Sequence, residues 1–453
     1  MRLGTLLGPD LRETLATDPS AVAAALEELH AEDIAEIVEE LDDATARALL
    51  RVLPAGVAAE VVGRLPAERQ VSIVTALDDD RAAEIVAEMA VDDAVDLVQE
   101  LPAPVAEKLL EQIEQTEPAV AEDVRELRAF PPDSAGGLMT TEFASVTPET
   151  KVWQAIELVR QKRHELETAY YLYVVAYDRL VGVVSLRDLL LADPGASLAD
   201  VMTTNVVHVA PTEHQEQVAR LIAKYDLNAL PVVDERGAML GVVTVDDVVD
   251  VVIEEATEDV HKMGAVAPLE DSYLQTGFFT FVRKRAGWLV VLFLGQTLTA
   301  TVIESRASVL EQIQALAFFI PLIISSGGNS GSQSSTLVIR ALAIGEVQPR
   351  HWWRVLAREI LMGLTLGFIL CWFGFARAWF SEGGASVPFA ATVAASVVGV
   401  VTLGTTIGAI LPLAIKRFGL DPAVSSTPFI ASLLDVLGLL VYFGMATLIL
   451  GVT

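Results

Sequence analysis

Asp435 is the residue whose type and place in the sequence most strongly suggest chemistry, because it is the one charged residue of the apolar stretch 422–453. A charged side chain at the centre of a bilayer costs about 2.5–3.5 kcal/mol even on insertion scales. A helix that begins near Thr427 would place Asp435 about 12 Å deep, at about 1.5 Å per residue. We therefore interpret Asp435 as part of a cation pathway. A protonated or serine-bonded structural carboxyl is the alternative.

A run of small and polar residues interrupts a second apolar stretch. Residues 325–336 read Ser-Ser-Gly-Gly-Asn-Ser-Gly-Ser-Gln-Ser-Ser-Thr. Such a run is tolerated in a membrane where it lines water or packs closely against other helices, and its glycines would let the backbone open so that carbonyls become ligands. With Asn329 and Asp435 it offers the oxygen ligands that hard cations prefer. Glu359 either joins this set or pairs with Arg354 or Arg358.

The stretches that hold these residues predict five membrane-spanning helices, since a span needs about 20 mostly apolar residues. The uncharged runs are 286–303, 313–339, 360–376, 383–415 and 422–453, the last broken only by Asp435. Basic residues cluster at one side if five spans alternate, and the positive-inside rule makes that side the cytoplasm. They are Arg283, Lys284, Arg285, Arg340, Arg350, Arg354, Arg358, Lys416 and Arg417. We expect a multi-pass protein of the cell (inner) membrane with its C-terminus outside.

The two halves of the chain differ in charge. The 453 residues include 61 acids and 31 bases, for a net charge of −30, although the mean hydropathy is +0.47. Residues 271–453 carry a net +3, which leaves −33 for residues 1–270. An acidic half lacks the clustered bases that bind nucleic acid, which argues against a nucleic-acid partner and favours divalent cations or basic proteins as partners. The one cysteine, Cys371, excludes a disulfide framework and a cysteine–histidine zinc site.

Residues 1–130 predict an all-α superhelical domain. A leucine or methionine recurs every twelve residues, and the residue after it is often Asp or Pro, which suit the start of a helix. The recurring residues are Leu29, Leu41, Leu53, Leu65, Leu77, Met89 and Leu101. Each repeat therefore predicts a short helix and a turn, stacked on its neighbours. A solvated face is the simplest interpretation of the acids.

A second repeat predicts an α/β pair of domains, over 131–200 and 201–248. Gly-Val-Val-Ser-Leu-Arg-Asp at 182–188 recurs as Gly-Val-Val-Thr-Val-Asp-Asp at 241–247, and each unit runs helix, strand, strand, helix. The pattern resembles tandem cystathionine-β-synthase-type (CBS) domains. That resemblance implies an adenine nucleotide, ATP above all, in contact with Tyr170, Arg187 and Asp188. Capping of the following helix is the alternative role for the aspartate.

The whole chain resembles the MgtE family of magnesium channels and transporters. The domain order carries the resemblance, with a connecting helix over 249–270 and a five-helix transmembrane domain over 271–453. So do the motifs around Gly327–Leu337 and Pro428–Leu440. One position departs: Ser332 stands where the family has a second Asn, so any pore contact there is water-mediated or absent. The resemblance implies a homodimer in membrane lipid, with Asp435 of each subunit facing a hydrated Mg²⁺.

We expect cytosolic Mg²⁺ to control the protein. Ions between acidic faces would hold the soluble domains together and keep the connecting helix at the inner mouth of the pore, whereas repulsion would separate them at low Mg²⁺. The resemblance marks matching positions as ion-binding: Glu60, Asp92, Asp96, Asp226, Asp247, Asp250, Glu255, Glu258 and Asp259. Asp93 belongs to the same acidic face as Asp92 but not to this matching set. Spacings of three or four place several of these carboxylates on a common helical face.

Other functions stay open at this point. A receptor for divalent cations that does not conduct would have the same soluble half, and a carrier could prefer Co²⁺ or Mn²⁺. The lone intramembrane acid argues against an anion carrier. The chain has no Gly-x-Ser-x-Gly elbow and no histidine near its serine run, so we expect no enzyme.

Overall fold

The computed structural model describes residues 11–15, 17–26, 29–162, 166, 168–269, 273, 276–381 and 386–452. The chain divides into two compact units, Met1–Ile253 and Glu254–Thr453. Parts of several sequence predictions lie outside the described residues: the start of the helical domain, residues 163–165 and 167 of the first CBS domain, the end of the connecting helix at 270, the start of the transmembrane domain at 271, the start of the fourth apolar run at 383 and the end of the last run at 453.

Short helices joined by turns form the first half of the first unit. They are α1 (Pro19–Leu26), α2 (Ala31–Glu40), α3 (Asp43–Val52), α4 (Ala55–Gly63), α5 (Ala67–Ala76), α6 (Asp79–Ala87), α7 (Val91–Glu100), α8 (Ala103–Thr116) and α9 (Pro118–Leu127). Each helix packs against the helix two places further along the chain, from α1 against α3 to α7 against α9. This regular stacking confirms the predicted all-α superhelical domain.

The turns between these helices carry the predicted capping residues. The carboxylate of Asp42 accepts a hydrogen bond from the backbone N–H of Thr45 at 3.3 Å and another from its hydroxyl at 2.7 Å. The hydroxyl bond is the main reason why the pKa of Asp42 is lowered to about 2. Pro54, Pro66 and Pro102 lie at the N-cap, one residue before the predicted first helical turn. There a missing N–H costs nothing, since no helical partner exists for it.

The leucines that recur every twelve residues lie at the ends of helices and not in their middles. Leu41, Leu53 and Leu101 are C-cap residues and are buried in the apolar core. Leu29 keeps the twelve-residue spacing but is 42% exposed. It lies in a bend before α2, ahead of the first complete repeat.

Two small β-sheets form the second half of the first unit. The strands are β1 (Ala144–Val146), β2 (Tyr171–Ala176), β3 (Arg179–Ser185), β4 (Ala229–Val233) and β5 (Met239–Thr244). The helices around them are α10 (Val152–Gln161), α11 (Leu186–Leu191), α12 (Leu198–Val201), α13 (Gln215–Tyr225) and α14 (Val245–Met263). The β2–β3 and β4–β5 hairpins are antiparallel, and β1 joins β2 in parallel. The predicted order of helix, strand, strand and helix is confirmed in both domains.

The second CBS domain shares its apolar core with the helical repeats. Val248 and Val251 of α14 belong to the same buried cluster as Val95 and Val98 of α7, whereas the first CBS domain has a core of its own. The acids on the outer faces of α7 and α14 are therefore held near one another. Since α14 begins directly after β5, the predicted boundary between 248 and 249 falls inside one continuous helix.

Five long helices form the second unit among the described residues. They are α15 (Phe278–Ser305), α17 (Ile320–Ala343), α18 (Trp352–Trp379), α19 (Val387–Arg417) and α20 (Thr427–Leu450), with a short α16 (Ala307–Gln312) between the first two. Four of these are long and apolar enough to cross a membrane, and α17, with its polar run, is the exception. Long helices are present at all five predicted stretches, and four of them have the length and composition of membrane spans.

The polar run of α17 is regular helix from end to end. The prediction that its glycines open the backbone is therefore wrong, and close packing is what they serve. A methyl group on Gly408 of α19 would lie 2.2 Å from the backbone oxygen of Gly331 in α17. The two backbones approach where neither residue has a side chain, which is how helices associate in lipid.

Candidate cation sites and nucleotide cleft

Asp435 lies on α20 about two turns from its start, and it is half-buried. The amide nitrogen Nε2 of Gln296, on α15, donates a hydrogen bond to its Oδ2 at 2.8 Å. Gln296 is exposed, so this pair lies at an open surface of the unit. The sequence analysis identified Asp435 but not its partner Gln296, although Gln296 is the one amide side chain of the first apolar run.

One face of α17 presents polar side chains to the surface. Asn329 is on this face, and its Nδ2 donates to Oγ of Ser325 at 3.3 Å. Gln333 and Thr336 continue the exposed stripe at helical spacing, whereas Ser330 on the opposite face is buried. In a membrane such a stripe must face water or another protein surface rather than lipid.

The helices of Asn329 and Asp435 lie side by side. Gly328 of α17 faces Ala431 of α20, and Gly331 faces Leu434, so the two polar residues are on adjacent helices. Ser332, the departure from the family motif, lies near the start of α20, with its Oγ 3.5 Å from the carbonyl oxygen of Thr427. The oxygen that replaces the family's amide is thus directed to backbone.

Glu359 is buried inside the second unit. Only 9% of this residue is exposed, and its Oε2 accepts a hydrogen bond from Oγ of Ser334 at 2.8 Å. Thr405 donates to its backbone oxygen at 3.0 Å. Glu359 thereby links α18 to α17 and α19. Of the two alternatives that the sequence left open, the pairing with Arg354 or Arg358 is not formed among the described side chains.

A group of carboxylates surrounds Asp247 in the first unit. Burial raises the pKa of Asp247 to about 6, and the nearby charges of Asp246 and Asp93 add to this, while the hydrogen bond from Thr244 opposes it. Ionised oxygens are therefore in repulsion across α7 and α14. Asp247 was predicted as an ion-binding residue, whereas the sequence analysis missed Asp246.

Asp93 is the member of this group that α7 contributes. Burial raises its pKa, Arg64 partly offsets that increase, and Asp246 and Asp250 add to it. The side chain still keeps an exposed face, so water and ions can reach it. The resemblance implies ligand roles for Asp92 and Asp96 on this helix, and the charge of Asp93 also acts on Asp247 of α14.

The other predicted ligands of the first unit lie on its surface. Glu60, Asp96, Asp226 and Asp250 are exposed, and Asp92 is half-buried. Asp226 adopts a φ of 52° at the end of α13, a left-handed conformation that Asp tolerates better than most residues. Within the part of the chain that the structure describes, no three Asp, Glu, His or Cys side chains converge to hold a metal ion. These acids form charged surfaces rather than a finished chelate.

The end of α14 is attached to the start of α20 within the second unit. Nζ of Lys262 contacts Oε2 of Glu258 and Oδ2 of Asp421, each at 2.7 Å, and Thr427 donates to the carbonyl of Met263 at 2.8 Å. Burial alone would lower the pKa of Lys262, but its two carboxylate partners raise it. An ion at the predicted ligand Glu258 must therefore compete with a lysine. Two further predicted ligands near this end of the helix, Glu255 and Asp259, lie on the turns just before this contact.

A cleft of about 170 Å³ lies between the two CBS motifs. Asp188, Ser185, Tyr171 and Tyr173 are among its lining residues. Oγ of Ser185 donates to Oδ2 of Asp188 at 2.7 Å and accepts from its backbone N–H at 3.1 Å, so the aspartate both caps α11 and faces the cleft. Two other predicted contacts, Tyr170 and Arg187, lie outside the lining. The cleft has room for a base rather than a whole nucleotide, since drug-sized ligands fill roughly 300–1,000 Å³.

Three family models match the chain. Residues 320–445 match a model described as a divalent cation transporter, MgtE. Residues 29–133 match the MgtE intracellular N domain, and 135–195 and 198–254 match the CBS domain.

Curated relatives include the magnesium transporter MgtE of Thermus thermophilus, 42% identical over 74% of each chain. That of Bacillus subtilis is 36% identical over 72% of this chain and 71% of its own. An archaeal inosine-5'-monophosphate dehydrogenase, from Korarchaeum cryptofilum, matches over 25% of this chain, a length that corresponds to the CBS pair alone.

Two solved structures resemble the soluble half. One is the cytosolic domain of the Mg²⁺ channel MgtE in complex with ATP, with a TM-score of 0.52 and 38% identity, over 55% of this chain and 100% of that one. The other is the soluble part of a magnesium transporter, with a TM-score of 0.52 and 32% identity, over 56% and 99%.

Proposed function

This chain belongs to the MgtE family of divalent cation transporters, and from that premise we propose that it carries Mg²⁺ across the cell membrane. It is a multi-pass membrane protein and not an enzyme. The observation that carries the proposal is Asp435, a carboxylate at mid-helix in a span, beside a helix with an exposed polar face. A charged side chain exposed to lipid is energetically costly, so it is expected to face water, a counter-ion or a partner surface.

The pathway in this proposal lies between two copies of the chain. Asp435 and the Asn329 face of α17 are open to the surface of a single copy, so a twofold dimer would place two such surfaces opposite each other. Two carboxylates and two amides would then attract a hydrated Mg²⁺ and repel anions. Mg²⁺ keeps several of its waters when it binds, so contacts through water suit it.

Uptake into proteoliposomes tests the pathway. We expect Asp435→Ala and Asp435→Asn to lower Mg²⁺ uptake by about ten-fold or more, which corresponds to about 1.4 kcal/mol of lost stabilisation. Gly444→Ala is the matched control on the same helix, since a methyl group there meets nothing within 4 Å. Unchanged uptake in both Asp435 variants would remove this residue from the pathway. A wild type that takes up no Mg²⁺ would favour a receptor, and stronger uptake of Co²⁺ or Mn²⁺ a different cargo.

We also propose that the acidic group around Asp247 senses cytosolic Mg²⁺. The raised pKa values of Asp93 and Asp247 support this, because part of each increase comes from repulsion that a divalent cation would relieve. A triple variant, Asp92, Asp247 and Glu255 all to Ala, should lose the protection from proteases that Mg²⁺ gives the soluble half. Full protection in this variant would exclude the three residues from the sensor.

The cleft at Asp188 is the proposed site for an adenine nucleotide. The half-buried Tyr171 in its lining can stack on a base, and the carboxylate of Asp188 can accept from ribose hydroxyls. Calorimetric titration of ATP should show weaker binding to Asp188→Ala and Tyr171→Ala than to the wild type. Arg187→Ala, outside the lining, should bind as the wild type does. Weaker binding to Arg187→Ala, together with wild-type binding to Asp188→Ala and Tyr171→Ala, would place the nucleotide at Arg187 and not in the cleft.

A further inference from the structure

Gln296 holds the carboxylate of Asp435 in place. Of the residues of α15, Thr299 is buried, and the rest of the helix is largely exposed along its apolar length. It meets α20 near Gly295, where an added methyl group would approach the side chain of Ser432 at 3.8 Å. This contact sets the next residue, Gln296, against Asp435, at 2.8 Å from Nε2 to Oδ2.

The hydrogen bond occupies one of the two carboxylate oxygens. Ca²⁺ binds six to eight oxygens in flexible geometry and often takes both oxygens of one carboxylate, whereas Mg²⁺ demands near-ideal octahedral geometry and gives up its waters reluctantly. A carboxylate whose Oδ2 accepts from an amide has one acceptor site fewer for a bare ion, so chelation through both oxygens competes with that hydrogen bond. Its Oδ1, and the amide oxygen of the exposed Gln296, can accept hydrogen bonds from water that is bound to an ion.

We propose that Gln296 is a specificity-determining residue, which favours recognition of the water shell of Mg²⁺ by Asp435 over direct chelation of Ca²⁺. The proposal rests on the proposed function and adds to it the reason for discrimination between two divalent cations. The amide acts by geometry: it donates to Oδ2 and offers Oε1 beside it. Loss of the amide would leave a carboxylate free to rotate and to bind a dehydrated ion.

Inhibition of Mg²⁺ uptake by Ca²⁺ in proteoliposomes measures the discrimination between these two cations. Gln296→Ala and Gln296→Met should both lower the Ca²⁺ concentration that halves uptake, by about ten-fold. Methionine is about as long as glutamine and lacks the donor without a change of charge, so Gln296→Met keeps the packing of α15. Thr297→Ala is the matched control, because the hydroxyl of Thr297 bonds to Leu294 of its own helix and not to α20.

Three outcomes separate the proposals. Greater sensitivity to Ca²⁺ in both Gln296 variants, with Thr297→Ala like the wild type, supports the role of the amide. Wild-type sensitivity to Ca²⁺ in variants that still take up Mg²⁺ overturns it and leaves the proposed function intact. Uptake that does not depend on Asp435 overturns both, since there is then no site for Gln296 to shape.

Discussion

Replacing Asp247 by Asn should stabilise the first unit in the absence of Mg²⁺. The substitution removes one negative charge from the group of Asp93, Asp246 and Asp247. The amide oxygen of Asn can still accept the hydrogen bond that Thr244 donates to Asp247. The change therefore mimics the effect of a bound cation on repulsion while it leaves the start of α14 in place.

The size of the effect follows from the pKa. The folded protein raises the pKa of Asp247 from 3.8 to about 6, and a tenfold change in the acid dissociation constant corresponds to about 1.36 kcal/mol. Ionised Asp247 thus costs about 3 kcal/mol at most, and about 1–3 kcal/mol after screening of a half-buried group. A raised pKa in the folded state means that this cost is absent below pH 3.8 and complete above about pH 6. The variant should match the wild type in acid and exceed it at neutral pH.

Urea unfolding of residues 1–253 measures this, since related cytosolic domains have been solved apart from the membrane part. Added Mg²⁺ should raise the unfolding free energy of the wild type above pH 6 and change the Asp247→Asn variant much less. Asp188→Asn is the matched control, because Asp188 has the same place after its strand but is exposed. An equal rise in the free energy of unfolding in both variants would refute the hypothesis that these carboxylates repel one another. A loss of stability in Asp247→Asn above pH 6 would refute it as well.

Three further substitutions test the second unit. Gly408→Ala should lower the melting temperature in detergent, by the equivalent of about 1–3 kcal/mol, because its methyl group would meet the backbone of Gly331; a wild-type melting curve would contradict the close packing. Ser334→Ala should cost about 1.5–3 kcal/mol in the same assay, since it removes the donor from a buried carboxylate. Lys262→Ala should lower the Mg²⁺ concentration that protects α14 from proteolysis, because the lysine ammonium no longer occupies the space between Glu258 and Asp421. Weaker protection by Mg²⁺ would show that Lys262 helps to form the site.

The helical repeats were predictable because their signals are local. A capping residue such as Asp42 acts within three positions, and a buried leucine every twelve residues marks each turn. A period does not show where its first complete repeat begins: Leu29 keeps the spacing, but it lies in a bend and is exposed. The CBS order was also local, with Ser185 and Thr244 each ending a hairpin.

Contacts between elements were not predictable from spacing. Gln296 and Asp435 are 139 residues apart, and a helical pattern shows which face a residue is on but not which helix lies opposite. Asp246 was missed for the same reason. The prediction for α17 was wrong for another reason, because it relied on the flexibility of glycine. In lipid every backbone N–H and C=O group needs a hydrogen-bond partner, and a regular helix supplies these partners.

The attachment of Lys262 and Met263 to the start of α20 means that α14 is held at both ends. A helix of 19 residues, about 28 Å long, belongs by its first turns to one compact unit and by its last turns to the other. Amide hydrogen exchange should therefore divide within it, with residues near Val248 exchanging at the rate of the CBS core and residues near Met263 at the rate of α20. The residues between these two groups, around Ile253, should then mark where one exchange rate gives way to the other within a single helix.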